Sequence, residues 1–568
     1  MLILDAPMSF PPAAIFYLPE AYSLGDKRIM GRQAAGAGFL KALAREKPER
    51  LFCYTPKREF VDQFATDIRR SGSDTTTIEW LPPPAHRRLG EPGLLYLPDP
   101  GLGPYAWRRA RHSPRAYSLC GITHTTMTHV AMGMLSSMPL SPLEHWDAVI
   151  CTSLAVHKSV DQLLKAQAAF LKARLGARRM PIPQLPVIPL GVNCADFTFR
   201  EGERQRARQM LGIDDDEIVL LYVGRLSFHA KAHHVPMLLA AEQASKGHKV
   251  VLVLAGWFSR DATEELYVRE CAQFGPSLRR IFVDGRKAKD LKAAWAAADI
   301  FTSLADNFQE TFGLTPVEAM ASGLPVVVSD WNGYKETIRH GTDGFRVPTL
   351  TLPPGSAEFL VERADFGFDN YDTYTALTSQ LIAVDIPAAA TAYSTLFANP
   401  DLRRQMGAAG QKRARDHYDW SQIMKLYAQL WTELGARRRS KVEGTVPAGA
   451  IRPDRLNPFT MFNSYPTRTL DGACVFALGE GVDRKEVQRR LSTESIARAA
   501  QVVARPQVVD EIVGTFEKHG PSLSMSDLIR HMPNVPGESV ERTVMVLTKC
   551  GVLTLQSKPK ATPSASKP

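Results

Sequence analysis

The 568-residue chain reads as an α/β protein of two open parallel sheets followed by a small helical module. Three observations predict this. Short apolar, β-branched runs alternate with helix-like segments through most of the chain, as in a parallel sheet covered by helices. The stretch Pro186-Val187-Ile188-Pro189-Leu190-Gly191-Val192-Asn193 interrupts that alternation with rigid turn residues and marks a domain boundary. From about Ala436 to Arg455 the sequence turns basic, then Gly-, Pro- and Ala-bearing, and reads as a linker.

The elements follow in order. In the first domain, 1–190, Leu51–Tyr54 and Ala148–Cys151 are short buried-strand candidates, and Gly31–Leu40 is a glycine-rich turn feeding a helix. The three-glycine spacing of a dinucleotide fingerprint is absent there, which excludes that reading. The second domain, 191–420, has strands expected at Ile218–Val223, Val250–Leu254, Ile281–Val283, Ile300–Ser303 and Val326–Val328. Residues from roughly Pro353 to Asp385 enlarge the loop after Val347 and have no evident role. Residues 436–505 form the linker and an unassigned region. A helical module spans 506–556, with helices at Val509–His519, Ser526–Met532 and Ser539–Cys550 and a strand near Val552–Leu555. Residues 557–568, rich in Lys, Pro, Ser and Ala, are expected to be disordered.

Composition excludes several classes. Hydrophobic residues make up 44% and charged residues 23%, ordinary for a globular protein, and no run approaches the ~20 apolar residues of a membrane-spanning helix. The first residues meet an acid at Asp5 without a basic region, so no signal peptide is expected. Seven scattered cysteines without paired spacing favour reduced thiols and a cytoplasmic location over a disulfide framework or zinc site. The net charge of +10 is compatible with an anionic substrate, an acidic membrane surface or nucleic acid. Basic clusters at Arg108-Arg109-Ala110-Arg111, Arg178-Arg179 and Arg437-Arg438-Arg439 read as solvated faces and linker ends, with a membrane-facing patch as the functional alternative. Asp214-Asp215-Asp216 precedes a strand, at the wrong sheet end for a metal site, and reads as a solvated turn.

The most specific segment is Glu310-Thr-Phe-Gly-Leu-Thr-Pro-Val-Glu318, continuing as Ala-Met-Ala-Ser-Gly-Leu-Pro-Val-Val-Val-Ser-Asp to Asp330. It reads as a loop, a helix and a buried strand. Gly313 lets backbone N–H groups approach a ligand; Pro316 suits the first turn of a helix; Gly323 and Pro325 end it. A helix N-terminus behind a glycine turn is an anion site suited to phosphate. The flanking carboxylates accept hydrogen bonds from sugar hydroxyls but cannot hold the phosphate. Upstream, Val223-Gly224-Arg225-Leu226 ends a strand, and Lys231 follows. Both cations therefore fall at the ligand-binding end of a parallel sheet, where a guanidinium fork and an ammonium can stabilise a departing diphosphate. Two surface cations after a strand is the alternative.

These motifs resemble family 4 of the retaining glycosyltransferases, whose GT-B fold places two Rossmann-like domains across a cleft. The resemblance covers about residues 1–435 and is densest over 219–347. It implies that Arg225 and Lys231 hold the donor diphosphate, that Glu318 accepts from the donor ribose, and that Glu310 contacts the transferred sugar. It also implies that the backbone N–H groups of Phe312, Gly313 and Leu314 cradle sugar and phosphate. Phe228-His229-Ala230-Lys231-Ala232 departs from the family by lacking the usual glycine after the lysine. His124, in Cys120-Gly121-Ile122-Thr123-His124-Thr125, resembles the family's first-domain active-site histidine, with His129 as a rival. Gly36 and Gly38 lie beside the diphosphate or serve only turn geometry; Gly285 and Arg286 occupy the place where the nucleotide base packs. The segment Tyr418–Leu434 resembles the closing helix that returns to the first domain, which 421–435 would complete. The module ending in Gly551-Val552-Leu553-Thr554-Leu555 resembles a winged-helix domain. Its third helix carries only Arg542 and Lys549 as cations, which disfavours DNA reading.

The reading is therefore a cytoplasmic, metal-independent, NDP-sugar-dependent hexosyltransferase with no cofactor besides its nucleotide-sugar donor. Its acceptor is expected to be a glycan of polysaccharide biosynthesis, a lipid-linked intermediate or a small molecule, with peripheral contact at the inner membrane surface. Two rivals stay open: a sugar-phosphate synthase or phosphorylase-like enzyme on the same scaffold, and a catalytically silent sugar-nucleotide-binding protein whose C-terminal module docks a partner or DNA.

Overall fold

Twelve parallel strands build two sheets in this computed structural model, which describes residues 10–23, 31–258, 261–440, 444–498 and 506–556. The first sheet contains β1 (Ala14–Phe16), β2 (Arg50–Tyr54), β3 (Thr77–Leu81), β4 (Leu94–Tyr96), β5 (Ser118–Ile122) and β6 (Ala148–Ile150) in the order β3-β2-β1-β4-β5-β6. The second contains β7 (Ile218–Val223), β8 (Val250–Gly256), β9 (Arg279–Asp284), β10 (Ile300–Ser303), β11 (Val326–Ser329) and β12 (Gly344–Val347) in the order β12-β11-β10-β7-β8-β9. Counted from its own first strand, each sheet has the same doubly wound order, so the strand order reverses between β1 and β4 and again between β7 and β10. This is the pair of Rossmann-like domains that the GT-B expectation requires. The central strands are apolar on both faces because helices cover both sides: every residue of β8, β10 and β11 is buried.

The chain divides into two compact units, Met1–Arg452 and Pro453–Pro568. In the first, the connection between the sheets and the return from the second sheet run side by side. The Val192 N–H donates to the Tyr418 carbonyl at 2.8 Å, and the Trp420 N–H donates to Val192 at 3.1 Å. The long helix Trp420–Arg439 then packs against the helix Gly31–Arg45 and against β5. Its buried aromatic face meets the first domain: Tyr427 lies against Phe39 at 5.5 Å, and Trp431 against Phe10 at 5.3 Å.

Gly36 and Gly38 lie inside the helix Gly31–Arg45, which corrects the expectation of a turn there. A Cβ on Gly36 would sit 2.2 Å from the Ala21 carbonyl oxygen, and one on Gly38 would sit 2.7 Å from Trp420 Nε1. Close packing against a neighbouring helix and the closing helix demands these glycines.

The basic clusters are not continuous faces. Arg109 is fully buried and forms a two-pronged pair with Asp147, at 2.6 and 2.7 Å. Asp147 also accepts from the N–H groups of Leu119 and Glu144, so this pair braces β5 against the approach to β6. Arg438 donates to the carbonyls of Arg115 and Ala116. Asp216 pairs with Lys249, in keeping with a turn, and no cluster with metal-binding composition is found among the described residues. Of the seven cysteines, six are buried and Cys550 is half-buried; all are free.

The second unit holds a three-stranded antiparallel sheet, β15 (Val475–Leu478) between β16 (Ser522–Ser524) and β17 (Leu553–Leu555). Its helices Pro506–His519, Met525–His531 and Gly537–Lys549 lie close to the expected spans. The expected start at 506 is too late, however. Phe476 and Val487 are buried in the same core as Ile512, Phe516, Leu528, Val544 and Leu547, because the central strand comes from the region that periodicity left unassigned. The tail 557–568 lies outside the described residues. No helix among the described residues is long and apolar enough to cross a membrane.

Two further strands, β13 (Thr349–Thr351) and β14 (Ile382–Val384), pair antiparallel. They form the base of the insertion expected near 353–385, which carries the helices Glu358–Asp365 and Tyr371–Ser379.

Candidate active site

The reversal point between β7 and β10 is where an open parallel sheet leaves a crevice beyond its strand ends, and the predicted donor residues fall on the two loops beside it. Arg225 and Lys231 follow β7, and Glu310 follows β10. The Lys231 ammonium donates to Glu310 Oε2 at 2.9 Å, with 33% of the lysine side chain and 11% of the glutamate exposed. Arg225 lies 6.0 Å from the centre of the Trp257 ring, and its carbonyl accepts from the Tyr222 hydroxyl at 3.3 Å.

Asn307, fully buried, organises both loops. Its carboxamide oxygen accepts from the N–H groups of Gln309 and Glu310 at 3.0 and 3.1 Å, and its NH2 donates to the Lys231 carbonyl. Ala232 bridges Ala305 antiparallel, and the His233 N–H donates to Asp306 at 3.1 Å. Ala232 is not among the positive-φ residues. The glycine missing after Lys231 is therefore not needed for this loop, because side-chain and backbone bonds to 305–307 hold it. Asp306 has almost no exposure, and burial pushes its carboxyl up to about 8.

Beyond Glu310 the turn depends on glycine. Gly313 has φ +87°, and a Cβ there would lie 2.0 Å from the ring of Tyr334. The Tyr334 ring is held by a 3.1 Å bond between its hydroxyl and that of Ser303. Gly313 caps the helix Leu314–Ala321, whose first N–H groups have no partner within the helix and so leave donors for an anion. Phe312 turns inward, only 3% exposed, with its ring 6.1 Å from Tyr418. Glu318 sits one turn into the helix and is half-buried. Burial pushes its carboxyl up to about 7, while Lys231 pulls in the opposite direction.

Gly285 and Arg286 follow β9. The Gly285 N–H donates to the Gly256 carbonyl at 2.8 Å. A Cβ on Gly256 would lie 2.0 Å from the Gly224 carbonyl oxygen, and one on Gly285 would lie 3.0 Å from Gly256 Cα. Three glycines thus pack closely together at the ends of β7, β8 and β9 and make a backbone ledge beside Arg225. Arg286 grips Asp284 through two bonds of 2.8 and 2.9 Å; its charge is engaged rather than aimed at the ledge.

His124 follows β5 in the first domain and is half-buried. Desolvation lowers it to about 4, and a bond to the Pro98 carbonyl opposes that shift, so the ring is neutral and hydrogen-bonding rather than cationic. Its rival His129 opens the next helix, is exposed, and has its ring 6.3 Å from that of Tyr374. Across the cleft floor, the Ser153 hydroxyl donates to the Thr311 carbonyl at 2.8 Å, and the Ala155 N–H donates to Glu336 at 3.2 Å.

Sequence reasoning missed the second ring of residues. Asn307, Tyr334 and Gly256 carry no local signature. Asn332-Gly333 is a turn signal and was legible: Asn332 has φ +37° and donates to the Glu310 carbonyl at 2.9 Å.

Residues 203–374 match the family described as Glycosyl transferases group 1. An uncharacterized glycosyltransferase of Methanocaldococcus jannaschii is 32% identical over 196 residues, 34% of this chain and 48% of that protein. The D-inositol 3-phosphate glycosyltransferase of Nocardia farcinica is 31% identical over 169 residues, 29% of this chain and 36% of that protein. The chain thus spans less than half the length of these relatives. Among solved structures, Anabaena HepE in complex with UDP and glucose aligns over 74% of this chain and 100% of its own, at 18% identity and a TM-score of 0.47. The segment that resembles glycosyl transferases group 1, residues 203–374, carries Arg225, Lys231, Glu310 and Glu318.

Proposed function

We propose that the protein is a retaining glycosyltransferase that moves a sugar from a nucleoside diphosphate sugar to an acceptor bound between the two sheets. The observation that carries this reading is the 2.9 Å Lys231–Glu310 pair, which joins the loop carrying Arg225 to the loop that leads into the glycine-capped helix Leu314–Ala321. Cations and free backbone donors on one side suit a diphosphate, and two carboxylates suit hydroxyls.

In this reading the ribose donates to Glu318, and the glycine ledge leaves room for the base. Arg225, Lys231 and the first-turn N–H groups neutralise the charge that grows on the diphosphate as the glycosidic bond breaks. These groups supply the charge a divalent ion would otherwise provide, which is why we read the reaction as metal-independent. Glu310 accepts from hydroxyls of the transferred sugar, and neutral His124 contributes from the facing domain. Retention follows from front-face attack: the acceptor hydroxyl bonds the anomeric carbon on the side the diphosphate leaves, and the departing phosphate oxygen takes the hydroxyl proton. A polysaccharide or lipid-linked intermediate is the acceptor class we favour.

The test is diphosphate release from UDP-, GDP- and ADP-sugars, with and without EDTA, in the wild type and in Glu310→Ala. Release with one nucleotide that survives EDTA and disappears in the variant is expected. Equal release by Glu310→Ala would refute the site, and loss on EDTA treatment would refute metal independence.

A further inference from the structure

We propose that the inserted helix Tyr371–Ser379 clasps the two domains across the cleft, and that Tyr371 is a positioning residue for Glu310 and His124. The proposal deepens, and rests on, the glycosyltransferase reading. Tyr371 donates its hydroxyl to Gln309 Oε1 at 3.2 Å, and Gln309 immediately precedes Glu310. The Thr125 side chain, which immediately follows His124, lies close enough to interact with the same phenol. One phenol therefore bonds the chain neighbour of Glu310 and lies beside that of His124, one from each domain.

The rest of the helix makes the same crossing. The Thr375 hydroxyl, 1% exposed, meets Met127 Sδ at 4.0 Å, and the Tyr374 ring lies 6.3 Å from that of His129. The buried residues of this helix are Thr375, Thr378 and Ser379, with no large apolar side chain among them. Thr378 and Ser379 satisfy their hydroxyls on their own helix's carbonyls. Such a face docks through a few polar contacts and contributes little hydrophobic area, so its value lies in where it holds the two loops. An Arg363–Asp369 pair, with two bonds of 2.8 Å, fixes the turn leading into the helix.

Tyr371→Phe keeps the ring and removes the hydroxyl that bonds Gln309. We expect kcat for transfer to fall at least about tenfold, within the range that a displacement of ~1 Å produces. Affinity for the cognate diphosphate, found by titrating UDP, GDP and ADP, should stay within about twofold because that ligand is held elsewhere. The melting temperature should stay within about 2 °C. Gln309→Ala should reproduce the loss, and the double variant should lose no more, as for groups acting in one linkage. Hydrogen exchange should rise in both 123–128 and 307–313 of Tyr371→Phe. Unchanged kcat, or a loss matched by equally weakened diphosphate binding, would overturn the positioning role. If the wild type releases diphosphate from no donor, the functional reading fails on its own; the exchange experiment then decides the clasp, and unchanged exchange in either loop overturns it.

Discussion

Replacing Lys231 separates the stabilising role of the Lys231–Glu310 pair from its catalytic one. Its 2.9 Å separation corresponds to a gross attraction of about 6 kcal/mol at an effective dielectric of about 20. Desolvation offsets most of this. Breaking a fully buried pair costs about 3–5 kcal/mol, whereas exposed pairs are worth about 0–1. With the lysine one-third exposed and the glutamate nearly enclosed, Lys231→Met should cost about 1–3 kcal/mol, chiefly by leaving Glu310 uncompensated. For a domain of this size that lowers the melting temperature by roughly 2–4 °C per kcal/mol. Glu310→Gln in the same chain should restore most of the loss, because no stranded charge then remains. The double-mutant cycle should therefore show at least ~1 kcal/mol of coupling in stability, while turnover stays abolished in all three variants. Thermal melts and diphosphate release read the two quantities separately. Additive stabilities, within ~0.5 kcal/mol, would refute the pairing; turnover in the stability-rescued double variant would refute the catalytic assignment.

Gly313→Ala forces a Cβ into the Tyr334 ring and strains a positive φ. It should destabilise by about 2–5 kcal/mol, from roughly 1–2 for the backbone and 1–3 for overpacking, and should abolish nucleotide binding in a titration. Trp420→Ala, at 3% exposure against Gly38 and Gly191, should cost about 3–5 kcal/mol in denaturant unfolding. Glu318, with its carboxyl near 7, should release a proton when the donor ribose bonds to it. Nucleotide affinity should therefore weaken as pH falls through 7, and Glu318→Gln should remove that slope in calorimetry run in two buffers. His124 adds a pH dependence of stability itself: neutral when folded, with its pKa depressed from 6.5 to about 4, it favours the folded state fully above 6.5. That contribution is lost as pH falls from 6.5 towards 4, where only the unfolded chain takes up the proton. His124→Asn should flatten this part of a melting-temperature profile.

Much of the fold was legible because its cause is local. Ile300–Ser303 and Ile218–Val223 are strands over the spans expected, since an apolar β-branched run between breakers has few other ways to be buried. The Gly313 turn and the helix behind it were legible for the same reason: positive φ and helix starts are chosen by one or two residues. The glycines at 36 and 38 were misread as a turn because glycine serves close helix packing as readily as bending, and only the partner, Ala21 or Trp420, distinguishes them. Likewise Val475–Leu478 carries no pattern that requires a strand; it becomes one because Ser522–Ser524 and Leu553–Leu555 flank it.

By itself, then, the sequence determined the α/β alternation and the glycine-capped turn between the two glutamates, and it singled out Arg225, Lys231, Glu310 and Glu318 as candidates. Tertiary structure decided what lies 60 or more residues away along the chain yet within a hydrogen bond. It placed Asn307 under both catalytic loops, paired Lys231 with Glu310, and set Tyr371 between the neighbours of Glu310 and His124. Periodicity and turn chemistry act over a few residues, whereas these contacts exist only once two sheets with the same strand order bring their loop ends together.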